Sequence, residues 1–176
     1  YCYPEEIDDE LIEAIKRNDK VCHYLDIPIQ HANSDVLKRM GRKTNKDDLV
    51  RIIHHLREEI PDITLRTTLI CGFPGETEEQ HKELLEFVQE MKFDRLGAFT
   101  YSPEEGTKAA EMENQIPEDV IKDRFDRLLK LVQDISAKKA GALTGSVQDV
   151  LVEELDEQQE GLVTGRLSNN SVVHLP

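Results

Sequence analysis

The chain has 176 residues, 38% of them hydrophobic, with 36 acidic against 22 basic side chains and a net charge of −14. This length and apolar content suffice for one ordinary domain with a small appendage, and they exclude a wholly disordered chain. No run approaches the roughly 18 apolar residues of a membrane span, and the negative field argues against nucleic acid as the main partner. We therefore expect a cytoplasmic globular protein with basic partners, although the charge could also serve solubility alone.

The apolar pattern of the first 142 residues switches between helical and strand periods. Helices are predicted for residues 8–17, 34–40, 47–59 and 77–92 and from Pro117 onward, and strands for residues 22–29, 64–73 and 96–101. Strands that alternate with helices indicate βαβ units and a parallel sheet. The predicted fold class is therefore α/β, with ligands expected at the C-terminal ends of the strands.

The pattern changes to a period of two after Gly145. Short antiparallel strands are predicted for residues 147–154, 162–166 and 171–175. The sequence therefore predicts two parts, an α/β part at residues 1–142 and an all-β segment at residues 145–176.

Unusual residues gather where the predicted strands end, in the sequences PIQH at 28–31, GFPGET at 72–77 and YSPEEGT at 101–107. Side-chain alternation also places Arg66 on the inner face of its strand. An unpaired buried charge costs several kcal/mol, so this guanidinium needs a partner. Two alternatives are open: an internal salt bridge to Asp26, or a ligand carboxylate.

The three cysteines, Cys2, Cys22 and Cys71, are an odd number at long spacings. This pattern indicates neither a disulfide framework nor a zinc site. Reduced, structural thiols are expected.

Four segments form one joint pattern: residues 24–32 (YLDIPIQHA), 36–42 (VLKRMGR), 65–77 (LRTTLICGFPGET) and 93–107 (FDRLGAFTYSPEEGT). In this order and spacing they resemble the radical S-adenosylmethionine (radical SAM) methylthiotransferase family, and within it the RimO branch, which modifies a ribosomal protein. The resemblance covers roughly residues 1–142. It implies the C-terminal part of a partial TIM-like barrel that holds a 4Fe-4S cluster and S-adenosylmethionine.

The resemblance also implies a reaction. Reductive cleavage of S-adenosylmethionine would give a 5′-deoxyadenosyl radical, which abstracts hydrogen from an unactivated carbon before a methylthio group is installed there. In the RimO branch the target is the β-carbon of an aspartate of small-subunit ribosomal protein twelve. The implied activity is thus a transferase whose cofactors carry the hard chemistry.

The family's cluster-binding loop, CxxxCxxC, is absent from this sequence, as is the N-terminal domain that holds the family's second cluster. Iron–sulfur clusters need thiolate ligands, which three scattered cysteines do not supply. We therefore expect a C-terminal fragment without catalytic residues of its own, which binds no metal and is inactive alone.

By resemblance, the residues at the strand ends form part of the S-adenosylmethionine pocket. The expected residues are Gln30, Arg66, Ile70, Gly72, Phe73, Tyr101 and Ser102. Gln30 and Arg66 would contact the ribose or the methionine moiety. Ile70, Gly72 and Phe73 would pack near the adenine, with the glycine allowing close backbone approach. The last two would line the same cavity, and for each residue a plain role in the core or in a turn is the alternative.

The tail resembles the opening of a TRAM domain, the small β-barrel that carries substrate recognition in this family. Residues 147–154 and 161–166 fit its first hairpin, whereas residues 167–176 are shorter and differ from the family pattern. About 32 residues are too few to close a five-stranded barrel, so a truncated TRAM-like segment is expected.

Two other functions are open. The tRNA-modifying branch of the family needs a basic recognition surface for its polyanionic substrate, whereas this tail is acidic. Its acidic residues are Glu153, Glu154, Asp156, Glu157 and Glu160. Alternatively, the chain is a non-catalytic docking module for a basic ribosomal protein.

Overall fold

The computed structural model describes residues 1–156 and 161–176. After a 3₁₀ turn at Pro4–Glu6, the elements are α1 (Asp9–Arg17), β1 (Tyr24–Gln30), α2 (Ser34–Arg39), α3 (Lys46–Glu59), β2 (Thr64–Cys71), α4 (Glu78–Met91), β3 (Arg95–Thr100), α5 (Glu118–Ala142), β4 (Val150–Leu155), β5 (Val163–Leu167) and β6 (Val172–Leu175). These elements match the predicted order. Among them, no helix has the length and apolar character needed to cross a membrane.

The first sheet is parallel, with strand order β1-β2-β3. Asp26 of β1 lies opposite Arg66 of β2, which in turn lies opposite Arg95 of β3. The helices α2 and α3 connect the first pair of strands, and α4 connects the second. The predicted α/β fold with a parallel sheet is therefore confirmed.

The two faces of β2 differ in burial, as its alternating sequence predicts. Leu65, Leu69 and Cys71 are fully buried against the helices. Arg66 and Ile70 point to the other face and are half-buried. Each fully buried leucine contributes about 2 kcal/mol of hydrophobic stabilisation. This asymmetry fixes the register of β2, because a slip of one residue would exchange the faces.

The C-terminal end of β1 departs from regular strand geometry. The register shifts between Ile27 and Gln30, where Pro28 has no N–H to donate. The hydroxyl of Thr67 donates to the carbonyl of Ile27 at 2.7 Å and accepts the N–H of Ile29 at 3.5 Å. Gln30 adopts φ 68°, a left-handed conformation that costs a non-glycine residue about 1 kcal/mol.

The helix α4 begins with the capping box predicted from Thr77 and Gln80. The Thr77 hydroxyl accepts the N–H of Gln80 at 3.2 Å, and the Gln80 side chain accepts the N–H of Thr77 at 3.1 Å. Such a cap is worth about 1 kcal/mol. It fixes the point at which the GFPGET loop ends and α4 starts.

The tail forms a second, antiparallel sheet with strand order β4-β5-β6. It contacts the first sheet where the guanidinium of Arg95 donates to the hydroxyl of Ser171 at 3.3 Å. The first tail strand begins at Val150, three residues later than predicted. Of the acidic residues predicted to mark this tail, Glu157 and Glu160 lie outside the described residues.

Candidate functional site

A cleft of about 330 Å³ opens at the C-terminal ends of the three parallel strands. Its walls include five of the seven residues predicted to form the cofactor pocket: Gln30, Ile70, Phe73, Tyr101 and Ser102. The irregular end of β1 places the first of these residues at the cleft. The other four residues lie near the end of β2 and in the loops that follow β2 and β3. The structure thus brings together residues up to 72 positions apart in the chain.

The other two predicted residues, Arg66 and Gly72, do not line this cleft. The Arg66 guanidinium forms an ion pair with the carboxylate of Asp26, so the structure shows the internal salt bridge. Gly72 adopts φ 82°, and a Cβ there would lie 2.5 Å from a side-chain atom of Ile121. Its lack of a side chain therefore allows β2 to end close against α5.

A buried carboxylate, Glu76, organises the loop that follows β2. Its side chain accepts the N–H of Gly72 at 3.1 Å. The guanidinium of Arg124 donates to the Glu76 carboxylate and to its backbone carbonyl, both at 2.9 Å. The side chains of Glu76 and Arg124 are 0% and 6% exposed. This ion pair ties the GFPGET loop to the second turn of α5.

Two buried histidines, His31 and His81, lie against the same carboxylate. The N–H of Asn33 donates to Nδ1 of His31 at 2.9 Å, so in the neutral ring the proton is on Nε2. That Nε2 lies 3.4 Å from Glu76 Oε2, and Nδ1 of His81 lies 3.7 Å from Oε1. Both rings are 0% exposed. The carboxylate is therefore surrounded by nitrogen atoms from four segments, namely the loop after β1, the loop after β2, α4 and α5.

The pKa values in this cluster follow from burial and from these contacts. Burial lowers the pKa of His81 to about 4. The negative charge of Glu76 acts to raise this pKa, and the positive charge of Arg127 acts to lower it further. His81 is therefore neutral at neutral pH. Burial works to raise the pKa of Glu76, but the nearby His31 imidazole, the N–H of Gly72 and the Arg124 guanidinium outweigh it and hold the pKa below its ordinary value.

The sequence analysis missed Glu76, His81 and Arg124 as members of a cluster. A signal was present for the arginine, because it lies on the apolar stripe of α5 between Ile121 and Leu128. A charged residue at such a position needs a buried partner. Nothing in the sequence, however, identifies which carboxylate that partner is.

The GFPGET loop is held from two further sides. The guanidinium of Arg39 donates to the carbonyl of Gly75 at 3.1 Å and to the side chain of Gln80 at 3.2 Å. The N–H of Gly75 donates to the carbonyl of Asn114 at 2.7 Å. Because Phe73 lies in this loop, these contacts also hold one wall of the cleft in place.

A second, larger cleft lies between the loop at residues 101–116 and the first turns of α5. Its volume is about 800 Å³. Tyr101 and Ser102 line both clefts and separate them. The Tyr101 ring packs edge-on against Phe73 with centroids 5.5 Å apart, and its buried hydroxyl has no hydrogen-bond partner in the part of the chain that the structure describes.

The cysteines do not form a cluster site in the part of the chain described. No group of three His, Cys, Asp or Glu side chains suited to a metal ion occurs in residues 1–156 and 161–176. Cys2, Cys22 and Cys71 are free thiols, the last of them buried. Burial raises the pKa of Cys71 to about 12, with the Glu76 carboxylate adding to the effect. That the chain alone binds no metal stays a prediction.

Comparison with known proteins agrees with the resemblance seen in the sequence. A family model described as the radical SAM superfamily matches residues 2–88. A ribosomal protein uS12 methylthiotransferase RimO of Lachnoclostridium phytofermentans is 55% identical over 94% of this chain, and one of Geobacter sulfurreducens is 49% identical over 97%. In both cases the chain spans 38% of the relative's length.

Solved structures share the fold at low sequence identity. Coproporphyrinogen III oxidase (HemN) from Escherichia coli, a radical SAM enzyme, superposes with a TM-score of 0.64 at 20% identity, over 76% of this chain and 31% of that one. The archaeal Elp3 of Methanocaldococcus infernus superposes with a TM-score of 0.58 at 14% identity, over 97% of this chain and 54% of that one. At such identities these two structures show the fold alone, and the chain's similarity to radical SAM methylthiotransferases rests on the family model and the relatives above.

Proposed function

We propose that the chain supplies the S-adenosylmethionine-binding part of an enzyme that installs a methylthio group on ribosomal protein uS12, at the β-carbon of an aspartate. Support comes from relatives of that name at 49% and 55% identity. The single observation that carries the proposal in the structure is the cleft at the ends of β1, β2 and β3. In open and closed parallel sheets, this end of the strands is where ligands bind.

The walls of this cleft suit an adenosyl group. Ile70, Phe73 and Phe99 offer apolar and aromatic surface for a purine ring, and Gln30 and Thr68 add polar groups that can fix its orientation. A cleft of about 330 Å³ lies within the range of small-molecule sites. The residues present therefore fit the adenosyl part of the cofactor.

Arg66 and Gly72 would take part in cofactor binding without lining the cleft. To contact the cofactor directly, Arg66 would have to release Asp26, or bind a ligand group through the guanidinium nitrogens that the salt bridge does not use. Gly72 would contribute through the position of the loop, since its Cα faces α5. We therefore propose a direct role for the five lining residues and an indirect one for these two.

When bound beside a 4Fe-4S cluster, S-adenosylmethionine would supply the radical chemistry of the proposed reaction. None of the three cysteines lines the cleft, so the cluster ligands would come from residues other than these. This chain would bind and orient the adenosyl group. Phe73, held by the contacts of the GFPGET loop, and Phe99 would keep water away from it.

A ligand titration tests the proposal. S-adenosylmethionine should raise the thermal midpoint of the chain by several degrees at concentrations well above its dissociation constant, because it binds only the folded state. Ser102→Trp should abolish the shift by filling the cleft, whereas Ser168→Trp, an exposed position in the tail, should preserve it. No shift with up to millimolar ligand would contradict cofactor binding and favour the docking module.

The basic character of the partner is also proposed. The net charge of −14 supports a protein substrate over tRNA, and a ribosomal substrate implies a cytoplasmic location. The parts at residues 1–142 and 145–176 would be the barrel part and a TRAM-like segment, a division supported by the parallel and antiparallel sheets. Tighter binding of a tRNA anticodon stem-loop than of the ribosomal protein, at physiological salt, would reverse the choice of substrate.

A further inference from the structure

We propose that the second cleft, here called the α5 cleft, binds a stretch of basic polypeptide that carries an apolar side chain. The α5 cleft lies between the loop at residues 101–116 and the start of α5 and has a volume of about 800 Å³. That the polypeptide belongs to the substrate rests on the proposed function. The binding itself rests on three observations, namely the apolar floor, the charge around the mouth and the wall shared with the first cleft.

The floor of the α5 cleft is apolar. Ile116 and Phe125 are half-buried there, and Ile121 is 9% exposed. Pro103 and Ala110 extend this surface toward the loop. Burying an aliphatic side chain against such a floor gains about 25 cal/mol for each Å² of apolar surface removed from water. A leucine-sized side chain is therefore a suitable occupant.

The mouth of the α5 cleft is acidic. Glu118 and Asp126 line it and are exposed, with Lys122 as the single basic lining residue. Between residues 102 and 119 there are six acidic side chains and one basic one. The acidic ones are Glu104, Glu105, Glu111, Glu113, Glu118 and Asp119. A cleft with walls of low dielectric concentrates this field, which attracts lysine and arginine and repels phosphate.

The shared wall links the α5 cleft to the proposed cofactor site. Tyr101 and Ser102 line both clefts, so a polypeptide anchored in one places its neighbouring residue beside the other. The buried hydroxyl of Tyr101 has no partner within the described ranges. Anchoring in the α5 cleft would thus orient the residue to be modified.

Peptide binding to the folded chain tests the inference. The probes are a fluorescent peptide of lysines and arginines around a central leucine, the same peptide with glycine in place of leucine, and an RNA hairpin of similar length. The leucine peptide should bind more tightly than the glycine peptide, and its affinity should fall as salt rises. Equal affinities for the two peptides, or tighter binding of the hairpin, would overturn the inference.

Charge variants locate the site. The double variant Glu118→Lys and Asp126→Lys should weaken the leucine peptide about tenfold, because it reverses both charges at the mouth. The control, Glu90→Lys and Asp134→Lys, makes the same change in net charge at exposed positions outside the cleft. It should weaken binding less than about threefold. Equal losses of peptide affinity in the two double variants would show that the net charge of the whole molecule attracts the peptide, and would overturn the proposed site.

A variant of the floor tests the apolar contact. Ile116→Ser should weaken the leucine peptide and leave the glycine peptide unchanged, whereas Val147→Ser, at a fully exposed position, should change neither. If Ile116→Ser fails to fold, the comparison of the two peptides on the unaltered chain decides the question.

Titration of the same samples with S-adenosylmethionine separates this inference from the proposed function. Peptide binding without a cofactor-induced thermal shift supports the α5 cleft and contradicts the cofactor site. A thermal shift without peptide binding does the reverse.

Discussion

Glu76 shows how a single residue can hold a loop in place. Its buried carboxylate receives hydrogen bonds from the N–H of Gly72 and from Arg124. The loop from Gly72 to Glu76 is thereby fixed to the end of β2 and to α5. Phe73, which lies in this loop, is held in place with it. A residue without a place in the cleft therefore shapes the cleft wall.

The first prediction concerns Glu76→Gln. This change removes the buried counter-charge of Arg124 and leaves only the partly exposed Glu78 carboxylate, 3.6 Å away. The expected loss in the free energy of unfolding is about 3 kcal/mol. The control is Glu78→Gln, which breaks the neighbouring pair of Glu78 and Arg127 between α4 and α5. That pair is partly exposed, so the loss should stay below about 1 kcal/mol. Urea unfolding measures both, and equal losses would contradict the central role of Glu76.

The second prediction concerns the pH dependence of stability. Because the pKa of His81 falls to about 4 in the folded chain, the unfolded chain binds more protons between pH 6.5 and 4. Stability should therefore decrease as pH falls through this window, by up to about 3 kcal/mol. The lowered pKa of Glu76 acts in the same direction, since its contribution is lost as pH falls through that lowered value.

The His81→Gln variant should flatten the decrease in stability between pH 6.5 and 4, measured by urea unfolding at several pH values. The matched control is His54→Gln, at an exposed position of α3. An unchanged slope in the His81 variant would show that other groups control the acid sensitivity.

The third prediction separates two reasons why a position requires glycine, namely a left-handed backbone and close packing. Gly72 and Gly106 have nearly the same φ, 82° and 79°, but only at Gly72 would a Cβ meet a neighbour. Gly106→Ala should cost about 1 kcal/mol, from the left-handed backbone alone. Gly72→Ala should cost a further 1–3 kcal/mol or so, because Ile121 must move. Similar thermal midpoints for the two variants would contradict the close packing of β2 against α5.

At the scale of elements, the helix α5 connects the parts of the molecule. It contributes Arg124 to the buried cluster and the floor of the α5 cleft, and near its end Lys139 pairs with Asp94 before β3. One helix therefore positions both the loop after β2 and the turn before β3. Its stability and the shapes of the two clefts are linked.

The second sheet presents apolar side chains to solvent on its edge strand. Leu151 and Leu155 of β4 are 70% and 76% exposed. An exposed apolar edge strand can pair with a second copy. The residues of β4 are therefore the part of the described chain most suited to self-association.

The fourth prediction follows from this edge. The chain should show concentration-dependent association in light scattering, and the double variant Leu151→Lys and Leu155→Lys should reduce it by placing charges on the edge. The control is Val147→Lys, at a position that is 97% exposed and outside the strand. A monomer at all concentrations, or an equal effect of the control, would contradict association through β4.

For the whole molecule, the sequence predicted most of the fold. The order of the helices and strands, the parallel sheet and the two faces of β2 follow from apolar periodicity, which is a local property of the chain. The capping box of Thr77 and Gln80 is local too. The family could also be inferred, because its motifs consist of short segments in a fixed order.

The candidate site was predicted only in part. Five residues at strand ends come together in one cleft, as the parallel topology requires. The partner of Arg66 was open between two alternatives, and the sequence could not decide between them because the answer depends on which side chains are neighbours across the sheet. The α5 cleft was missed entirely, because its volume depends on how the loop at residues 101–116 sits over the helix.

The sequence by itself thus determined the elements, their order and the family, since each depends on residues close together in the chain. Only the tertiary structure decided which distant charges meet. Glu76, His81 and Arg124 form a cluster because β2, α4 and α5 pack together. The physical reason is that a buried charge is stabilised by whichever partner lies within a few ångströms, and that distance is set by packing rather than by spacing along the chain.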